Sequence, residues 1–463
     1  MPEGPIEMHC LQDLTAGLGQ IRPCHAAGRV TRAARGLLDL RGLAASAAMG
    51  DRVLLQSAAG PVGGEVVSLG EKIVQVMPEG DGQGVRVGDV ALHLGAPRIA
   101  PSARWLGRIV DANGLPLDDR PLAPGDDLRA LRAAPPPATS RRALGPRLTT
   151  GHAVFDTMLP IVRGQRIGLF AGAGVGKSRL LGSLGRQMEA DVTVIALIGE
   201  RGRELREFVE RALGPEGLSR AVIVVATSDA PALVRRRALW TAMTVAEYFR
   251  DAGKHVLFLA DSITRFAEAH REVALACGEG AALRGYPPSV AHAIMALAER
   301  AGPGRADGQA AGTMGDITAL LAVLVAGSDI DEPVADILRG TLDGHILLDR
   351  SIAERGRFPA VDVLRSVSRC LPDCASAEEN ALISLARRRL ASHDDAALMI
   401  QSGLYAPGSD PELDAAVSAW PSLDAFVGSA ADGTHAAFAE LARCLGKPPP
   451  AQEQADSSDR APS

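Results

Sequence analysis

The most constraining feature of this chain is a glycine-rich loop between an apolar run and a helical run. The apolar run ends at Phe170, and a helical pattern follows over 179–184. Strand, glycine loop and helix in this order predict a phosphate-binding loop, in which backbone N–H groups and the helix N-terminus hold phosphate oxygens. The loop consists of Ala171, Gly172, Ala173, Gly174, Val175, Gly176, Lys177 and Ser178.

The last two residues of this loop carry its chemistry. Lys177 is predicted to neutralise β- and γ-phosphate oxygens, and Ser178 to ligate Mg²⁺, so the expected ligands are ATP and Mg²⁺. Ala171 stands where the motif GxxxxGK[ST] has its first glycine, and it would be strained there only if the position needs a positive φ. The alternative is a glycine-rich turn that contains Gly-Lys-Ser by chance, which the flanking strand and helix disfavour.

Glu200 lies at the end of a second apolar strand, after Ile198 and Gly199. Ligand-facing residues of parallel sheets lie at this end of a strand. A carboxylate there predicts a group that orients and deprotonates the attacking water, with Arg201 in reach of phosphate oxygens. The alternative is a surface ion pair between Glu200 and Arg203.

Asp261 closes a third apolar run, which begins at His255. A buried strand that ends in a carboxylate predicts a residue in the outer coordination sphere of Mg²⁺. An N-cap of the helical stretch Ser262 to Phe266 is the alternative, and the two roles are compatible.

The 463 residues predict two to four domains. Helical periodicity over 1–26 indicates an amphipathic segment whose apolar face binds a partner or, as the alternative, packs on the same protein. Short apolar runs between glycines over 27–95 predict a small β domain. Alternating strands and helices over 96–375 predict an α/β nucleotide-binding core with a parallel sheet. Helical spacing after the capping pair Ser376 and Glu379 predicts a helical domain over 376–446, and 447–463 is polar enough to predict a disordered tail.

Six strands of the core can be predicted from their apolar runs. They are Arg166 to Phe170, Val192 to Ile198, Ala221 to Ala226, His255 to Ala260, Ile317 to Val325 and His345 to Leu348.

Composition and charge narrow the class of protein. The net charge is −6 with both signs interleaved, which argues against a nucleic-acid partner. The first residues lack the pattern of a secretory signal, and no run is apolar enough to span a membrane. Six scattered cysteines fit a reducing compartment. We therefore expect a cytoplasmic protein with at most a peripheral membrane association.

The combined motifs resemble the flagellar type III export ATPases, relatives of the catalytic subunit of F-type ATP synthase. The resemblance runs from about residue 29 to 445 and is carried by GLFAGAGVGKS, LIGERGRELREFVE, VATSDAP, LADSITRFAEAHREV, GYPPSV and EPVADILRGTLDGHILLDRSIAERGRFPAVDVLRSVSR. It implies a RecA-like P-loop ATPase core between a small N-terminal β-barrel and a C-terminal helical domain. It also implies that Lys177 and Ser178 bind phosphates and Mg²⁺, that Glu200 activates water, and that Asp261 lies in the metal shell.

The resemblance implies further residues and partners. It implies an arginine finger donated across a subunit boundary, hence a homohexameric ring, and Arg369 matches that position better than Arg350. Phe358 falls where the family stacks an aromatic on adenine, the alternative being a core phenylalanine. The implied partners are a negative regulator at the N-terminal segment, a central stalk protein, export chaperones and the membrane export gate, at the inner-membrane base of the flagellum.

Three other functions share parts of this pattern. A virulence-associated type III secretion ATPase would carry the same catalytic motifs, and the stretch 246–276 favours the flagellar system. A rotary ATP synthase subunit is disfavoured by the ERGRE and VADILRG runs. A ring-shaped RNA helicase or transcription terminator needs aromatic residues that stack on bases. The segment 28–94 contains no aromatic residue, so the sequence predicts an ATPase that energises flagellar protein export.

Overall fold

The structure is a computed structural model that describes residues 24–34, 36–306, 314–325 and 332–450. The predicted partner-binding segment 1–26 and the predicted tail 447–463 lie largely outside the described residues. No helix within these described ranges is long and apolar enough to cross a membrane.

The N-terminal strands close into a barrel with the order β1-β2-β5-β4-β3-β6, in which β6 pairs back with β1. Strands of this barrel bury alternate residues, as in β2, where Leu38 and Leu40 face the interior. The barrel therefore has a hydrophobic core of its own. Its strands are β1 Ala27–Ala34, β2 Leu37–Arg41, β3 Arg52–Ser57, β4 Gly60–Leu69, β5 Ile73–Pro78 and β6 Val90–Gly95.

An eight-stranded sheet forms the centre of the molecule, in the order β16-β15-β10-β14-β13-β11-β12-β8. All neighbours are parallel except β15 and β16. The inner strands are apolar almost throughout because both faces are covered, and each face packs against a separate core cluster. The eight strands are β8 Arg108–Val110, β10 Arg166–Ala171, β11 Val192–Glu200, β12 Ala221–Thr227, β13 Val256–Asp261, β14 Ile317–Leu324, β15 Gly344–Leu348 and β16 Val361–Ser368. Two short strands outside this sheet, β7 Arg98–Ile99 and β9 Arg129–Ala130, pair with each other.

All six predicted core strands are present, with ends that shift by at most two residues. The fold class is confirmed as an α/β nucleotide-binding core that follows a six-stranded barrel and precedes C-terminal helices. Three strands beyond the barrel were missed, because β8 has only three residues and β7 and β9 have two each. A fourth, β16, was missed because its alternation of buried and exposed residues lacks a continuous apolar run.

Helices cover both faces of the sheet and make up the C-terminal region. They are α1 Ala153–Asp156, α2 Lys177–Gln187, α3 Gly202–Glu207, α4 Gly214–Ser219, α5 Ala232–Asp251, α6 Ile263–Ala276, α7 Pro288–Ala298, α8 Pro333–Thr341, α9 Arg350–Glu354, α10 Ala377–Asp395, α11 Ala397–Gln401, α12 Pro411–Val427 and α13 Thr434–Cys444. A π-helical turn, Phe208–Leu213, joins α3 to α4.

The C-terminal helices begin where the sequence predicts. Ser376 caps α10 by accepting a hydrogen bond from the backbone N–H of Glu379, and the Glu379 side chain accepts one from the Ser376 N–H. Buried residues of α10, α12 and α13, among them Phe426 and Phe438, join the core cluster on one face of the sheet. The helical region therefore shares a hydrophobic core with the nucleotide-binding domain.

Candidate active site

The glycine-rich loop connects β10 to α2, in the order that the sequence predicts. Ala171 ends β10, and Lys177 is the first residue of α2. Gly174 and Gly176 have φ angles of +78° and +86°, which glycine adopts at little cost. Ala171 is buried in the strand and has no positive φ, so the missing first glycine causes no backbone strain.

Lys177, Glu200 and Asp261 meet beside this loop. The Lys177 amino group donates a hydrogen bond to Asp261, and its Nζ lies 3.7 Å from Oε1 of Glu200. Asp261 is 2% exposed at the end of β13, level with Leu197 of the neighbouring strand β11. Because β11 continues to Glu200, the two carboxylates approach the loop from adjacent strands at the same edge of the sheet.

Ser262, and not Asp261, is the N-cap of α6. The Ser262 hydroxyl accepts a hydrogen bond from the backbone N–H of Arg265 at 3.4 Å. Asp261 belongs to β13, so the interpretation of Asp261 as a helix cap is wrong. Its carboxylate contacts Lys177 instead.

Glu200 is an acid with a perturbed proton affinity. Burial, followed by the negative charge of Asp261, raises the pKa of Glu200 to about 7, although Lys177 acts in the opposite direction. The ion-pair contact of Glu200 is with Lys177, so the alternative of a surface pair with Arg203 is not observed. A carboxyl group with a pKa near neutrality can act as a proton acceptor at physiological pH.

Arg201 is exposed at the N-terminus of α3, and its guanidinium lies 3.7 Å from Glu204. Arg201 and Glu204 both line a cavity of about 740 Å³ in front of the glycine-rich loop. Lys177, Ser178 and Glu200 line the same cavity, which is therefore the candidate nucleotide site.

Three further arginines line this cavity and were missed by the sequence analysis, namely Arg179, Arg235 and Arg265. Arg265 lies in the first turn of α6, four residues after Asp261, and its side chain passes over Gly199. A β-carbon on Gly199 would lie 2.9 Å from Cγ of Arg265, so a glycine is needed there. The run ADSITR gave no sufficient signal for this, because whether a first-turn arginine points back towards the site depends on how its helix packs.

Phe358 lies next to the glycine-rich loop in a second cavity of about 420 Å³. A β-carbon on Gly176 would lie 3.1 Å from its ring. Phe358 is 43% exposed, so the interpretation of Phe358 as a core residue is wrong. Gly176 and Arg179 line both cavities, which are therefore adjacent. A flat aromatic ring beside a phosphate-binding loop offers a stacking surface for a base.

Arg369 and Arg350 line neither of these cavities. Arg369 is exposed after β16 and donates a hydrogen bond to the carbonyl oxygen of Arg339 at 3.1 Å. Arg350 is exposed at the start of α9 and pairs with Glu354 at 2.9 Å. Neither guanidinium belongs to the nucleotide site of its own chain.

The residues at the site fit a magnesium ion. Ser178 and Asp261 offer hydroxyl and carboxylate oxygens, the hard donors that Mg²⁺ prefers. Among the described residues, no group of three or more His, Cys, Asp or Glu side chains could hold a metal ion alone. That arrangement suits Mg²⁺, which usually keeps water ligands and shares phosphate oxygens with one or two protein groups.

Two segments of the chain match known protein families. Residues 151–368 match the ATP synthase alpha/beta family, nucleotide-binding domain, and residues 375–441 match the T3SS EscN ATPase C-terminal domain. The second match begins just before α10 and covers most of the C-terminal helices.

Three relatives illustrate the similarity over the whole chain. The flagellum-specific ATP synthase of Caulobacter vibrioides is 44% identical over 90% of this chain and 94% of its own length. The SPI-2 type 3 secretion system ATPase of Salmonella typhimurium is 45% identical over 74% of this chain and 79% of its own length. The assembled ATPase EscN of enteropathogenic E. coli, solved with its central stalk EscO, is 35% identical. Its TM-score is 0.81, over 90% of this chain and 100% of that one.

Proposed function

Because this chain belongs to the family of flagellar and type III secretion ATPases, we propose that it hydrolyses Mg-ATP to energise protein export during flagellum assembly. The chain is an ATP-hydrolysing enzyme that drives secretion. The flagellar system is supported by coverage, since the flagellar relative aligns with 90% of the chain and the SPI-2 relative with 74%, at nearly equal identity. Export by a virulence-associated type III system is the second candidate.

The geometry supports a proposed role for each group around the loop. Backbone N–H groups of the glycine-rich loop and the amino group of Lys177 bind the phosphates, for which Lys177 exchanges its contact with Asp261. Glu200 orients the attacking water and accepts its proton, because its pKa of about 7 makes it a base at neutral pH. Arg201, exposed at the cavity wall, contacts phosphate oxygens.

The adenine and the metal use the remaining groups. Phe358 stacks on the adenine from the adjacent cavity. Ser178 and Asp261 hold Mg²⁺, which when bound supplies positive charge against the phosphate oxygens. Phe358 and Ser178 line the two cavities around Gly176, and Asp261 lies buried behind Lys177, which supports these two assignments.

A ring of identical subunits completes the site. The nucleotide cavity lacks Arg369 and Arg350 of its own chain, and one of these exposed guanidiniums reaches the site of a neighbouring subunit. An arginine that stabilises the charge of the transferring phosphoryl group accelerates such reactions about 10³-fold or more. The assembled state of EscN supports a homohexamer, and its complex with EscO supports a central stalk partner.

The other partners follow from the family resemblance. A negative regulator binds the segment 1–26. ATP hydrolysis acts on export chaperones and on the membrane export gate. The ring then acts on the cytoplasmic side of the inner membrane, at the flagellar base.

The experiment that tests the function replaces Glu200 at the native locus. Glu200→Gln keeps the size of the side chain but removes the base, so flagellin and hook protein should disappear from the culture medium while the variant protein persists at wild-type abundance. Arg206→Gln, on the exposed face of α3, is the matched control and should leave export unchanged. Normal flagellar export with Glu200→Gln, together with loss of other secreted proteins, would assign the chain to a virulence-associated system instead.

A further inference from the structure

A third cavity, of about 420 Å³, lies between the barrel and the nucleotide-binding core. Strand β4 contributes Glu65 and Val67 to its wall, and helix α5 contributes Arg236 and Trp240. The C-terminal half of α6 and one face of α7 close the other side. None of the residues that line the nucleotide site lines this cavity.

Positive charge exceeds negative charge at the barrel side of this cavity. Arg132 and Arg236 donate hydrogen bonds to the same oxygen of Glu65, at 3.1 and 2.7 Å. Arg237, directly behind them, lies 3.7 Å from the other Glu65 oxygen and also pairs with Glu79. Three guanidiniums therefore share two carboxylates, and burial lowers the pKa of Arg132.

Two of these guanidiniums, those of Arg236 and Arg237, have unused hydrogen-bonding capacity, and of the two only Arg236 lines the cavity. Arg236 is 5% exposed, and its Nε has no hydrogen-bond partner among the residues that the structure describes. A buried donor without an acceptor costs free energy, which an anion near the cluster would recover. Arg300, on the opposite wall, is not available to a ligand anion in the same way. Its guanidinium donates hydrogen bonds to both carboxylate oxygens of Glu247.

Most of the remaining wall is apolar and includes an aromatic face, and His270, Glu279, Ser289 and His292 also line it. The guanidiniums of Arg132 and Arg236 lie 4.4 and 5.2 Å from the centroid of the Trp240 ring. Val273 and Leu297 lie on the facing helices. A ligand that fits both features carries one negative group and a compact hydrophobic body.

We propose that this cavity binds a small organic anion, a carboxylate or sulfonate on an aromatic or branched aliphatic body. The anionic group pairs with Arg132 and Arg236, and the body packs between Trp240 and helices α6 and α7. The inference is independent of which export system the enzyme serves.

Occupancy of this cavity acts on the ATPase through α6. That helix begins two residues after Asp261 and carries Arg265, which lines the nucleotide cavity. His270, Val273 and Ala274, further along α6, line the cavity at the barrel. A ligand that fixes the second half of α6 therefore changes the freedom of the first half, and with it the rate of hydrolysis.

The first test compares two probes with nearly the same body. The full-length protein is titrated with 8-anilinonaphthalene-1-sulfonate, which is anionic, and with N-phenyl-1-naphthylamine, which is neutral, and fluorescence is recorded. Arg132→Gln should weaken binding of the sulfonate about tenfold, the value of one charged hydrogen bond, with little change for the neutral probe. Arg443→Gln, an exposed arginine on α13, is the matched control.

The second test fills the cavity. Ala296 is exposed on α7 and lines the cavity, so Ala296→Trp should remove sulfonate binding without affecting folding. Met295→Trp changes the neighbouring exposed position, which does not line the cavity, and should bind the sulfonate normally. Cys277, an exposed thiol in the cavity wall, should be alkylated more slowly with the sulfonate present, whereas Cys24 should not.

Three results would overturn the proposal. One is equal affinity of the two probes in the wild-type protein, and another is unchanged sulfonate binding in Ala296→Trp. The third is a loss of ring assembly in Arg132→Gln with unchanged sulfonate binding, which would assign this face to contact with a second copy. A change in the ATPase rate at saturating sulfonate, absent in Ala296→Trp, would support the coupling through α6.

Discussion

Glu200 receives opposing influences from two neighbours that both belong to the site. Burial and the carboxylate of Asp261 disfavour its charged form, while the amino group of Lys177 favours it. The outcome is a pKa of about 7, well above the ordinary value of a glutamate. The same cluster that we propose to bind the phosphates thus sets the proton affinity of the proposed base.

This pKa predicts the pH dependence of the enzyme. Because the pKa of Glu200 is raised, the loss of its basic form on acidification begins near pH 7 and not near pH 4.5. The value of kcat/KM, which reports the free enzyme, should fall about tenfold per pH unit below that point. Rates measured from pH 5.5 to 8.5 test this, and the residual activity of Glu200→Gln should show no inflection near neutrality. An inflection only below pH 5 would contradict the assignment.

Arg237 is the residue whose loss should most weaken the junction of barrel and core. It is 1% exposed and donates to Glu79 and to Asn113, the latter at 3.0 Å. Arg237→Leu leaves the carboxylates of Glu65 and Glu79 short of a partner, which costs about 3 to 5 kcal/mol. Thermal unfolding measures the loss, and Arg206→Leu, an exposed arginine, should change the midpoint little. Equal midpoints for the two variants would contradict the stabilising role of the cluster.

The sequence identified the parts of the site that have fixed spacing to a strand. Lys177 and Ser178 follow β10, and Glu200 and Asp261 end β11 and β13, so apolar runs were enough to place them. Arg235 and Arg265 could not be placed this way, because whether a first-turn arginine faces the site depends on how its helix packs. The sequence also left a core position of Phe358 open as the alternative to stacking on adenine, because a lone aromatic residue carries no information about its exposure.

At the level of elements, the buried parallel strands are the part of the fold that the sequence predicts best. Their two covered faces produce continuous apolar runs, which no surface strand shares. The antiparallel strand β16 lies at one edge of the sheet and β8 at the other, and both escaped detection. The barrel was predicted as a β domain, but its closure depends on pairing between β1 and β6, about 60 residues apart, which no local pattern specifies.

The surroundings of two helical glycines, Gly182 in α2 and Gly340 in α8, predict opposite effects of an alanine substitution. A β-carbon on Gly182 would lie 2.5 Å from Cβ and 2.8 Å from the backbone carbon of Ala212, in the π-helical turn. Gly182→Ala should therefore lower the thermal unfolding midpoint, although alanine favours helix by about 1 kcal/mol. Gly340 in α8 has open space around the same position, so Gly340→Ala should raise the midpoint slightly. Stabilisation by both substitutions would mean that α2 does not pack closely against the turn.

For the whole molecule, the important fact is that neither Arg369 nor Arg350 lines the nucleotide cavity of its own chain. The four arginines that do line it are Arg179, Arg201, Arg235 and Arg265. Each lies at the start of a helix that follows a strand of the central sheet. Arg369 lies after β16 at the edge of the sheet, exposed and held by a backbone carbonyl. An exposed, positioned guanidinium at a sheet edge can enter the site of an adjacent subunit in a closed ring.

Complementation between two inactive variants tests this ring. Lys177→Ala has no working site but an intact Arg369, and Arg369→Ala has an intact site but no finger. In a random equimolar mixture, about one quarter of the interfaces combine an intact site with an intact finger, so about that share of wild-type activity should return if the interfaces act independently. Steady-state ATP hydrolysis at ring-forming concentration measures it.

The control for this mixture separates transfer of the finger from simple stabilisation of the ring. Arg369→Ala mixed with the double variant Lys177→Ala/Arg369→Ala forms the same interfaces without any finger and should stay inactive. The series is repeated with Arg350→Ala in place of Arg369→Ala. Restoration with Arg350→Ala only would identify Arg350, at the start of α9, as the finger. Restoration in neither series would mean that each subunit completes its own site, against the exposed positions of both guanidiniums.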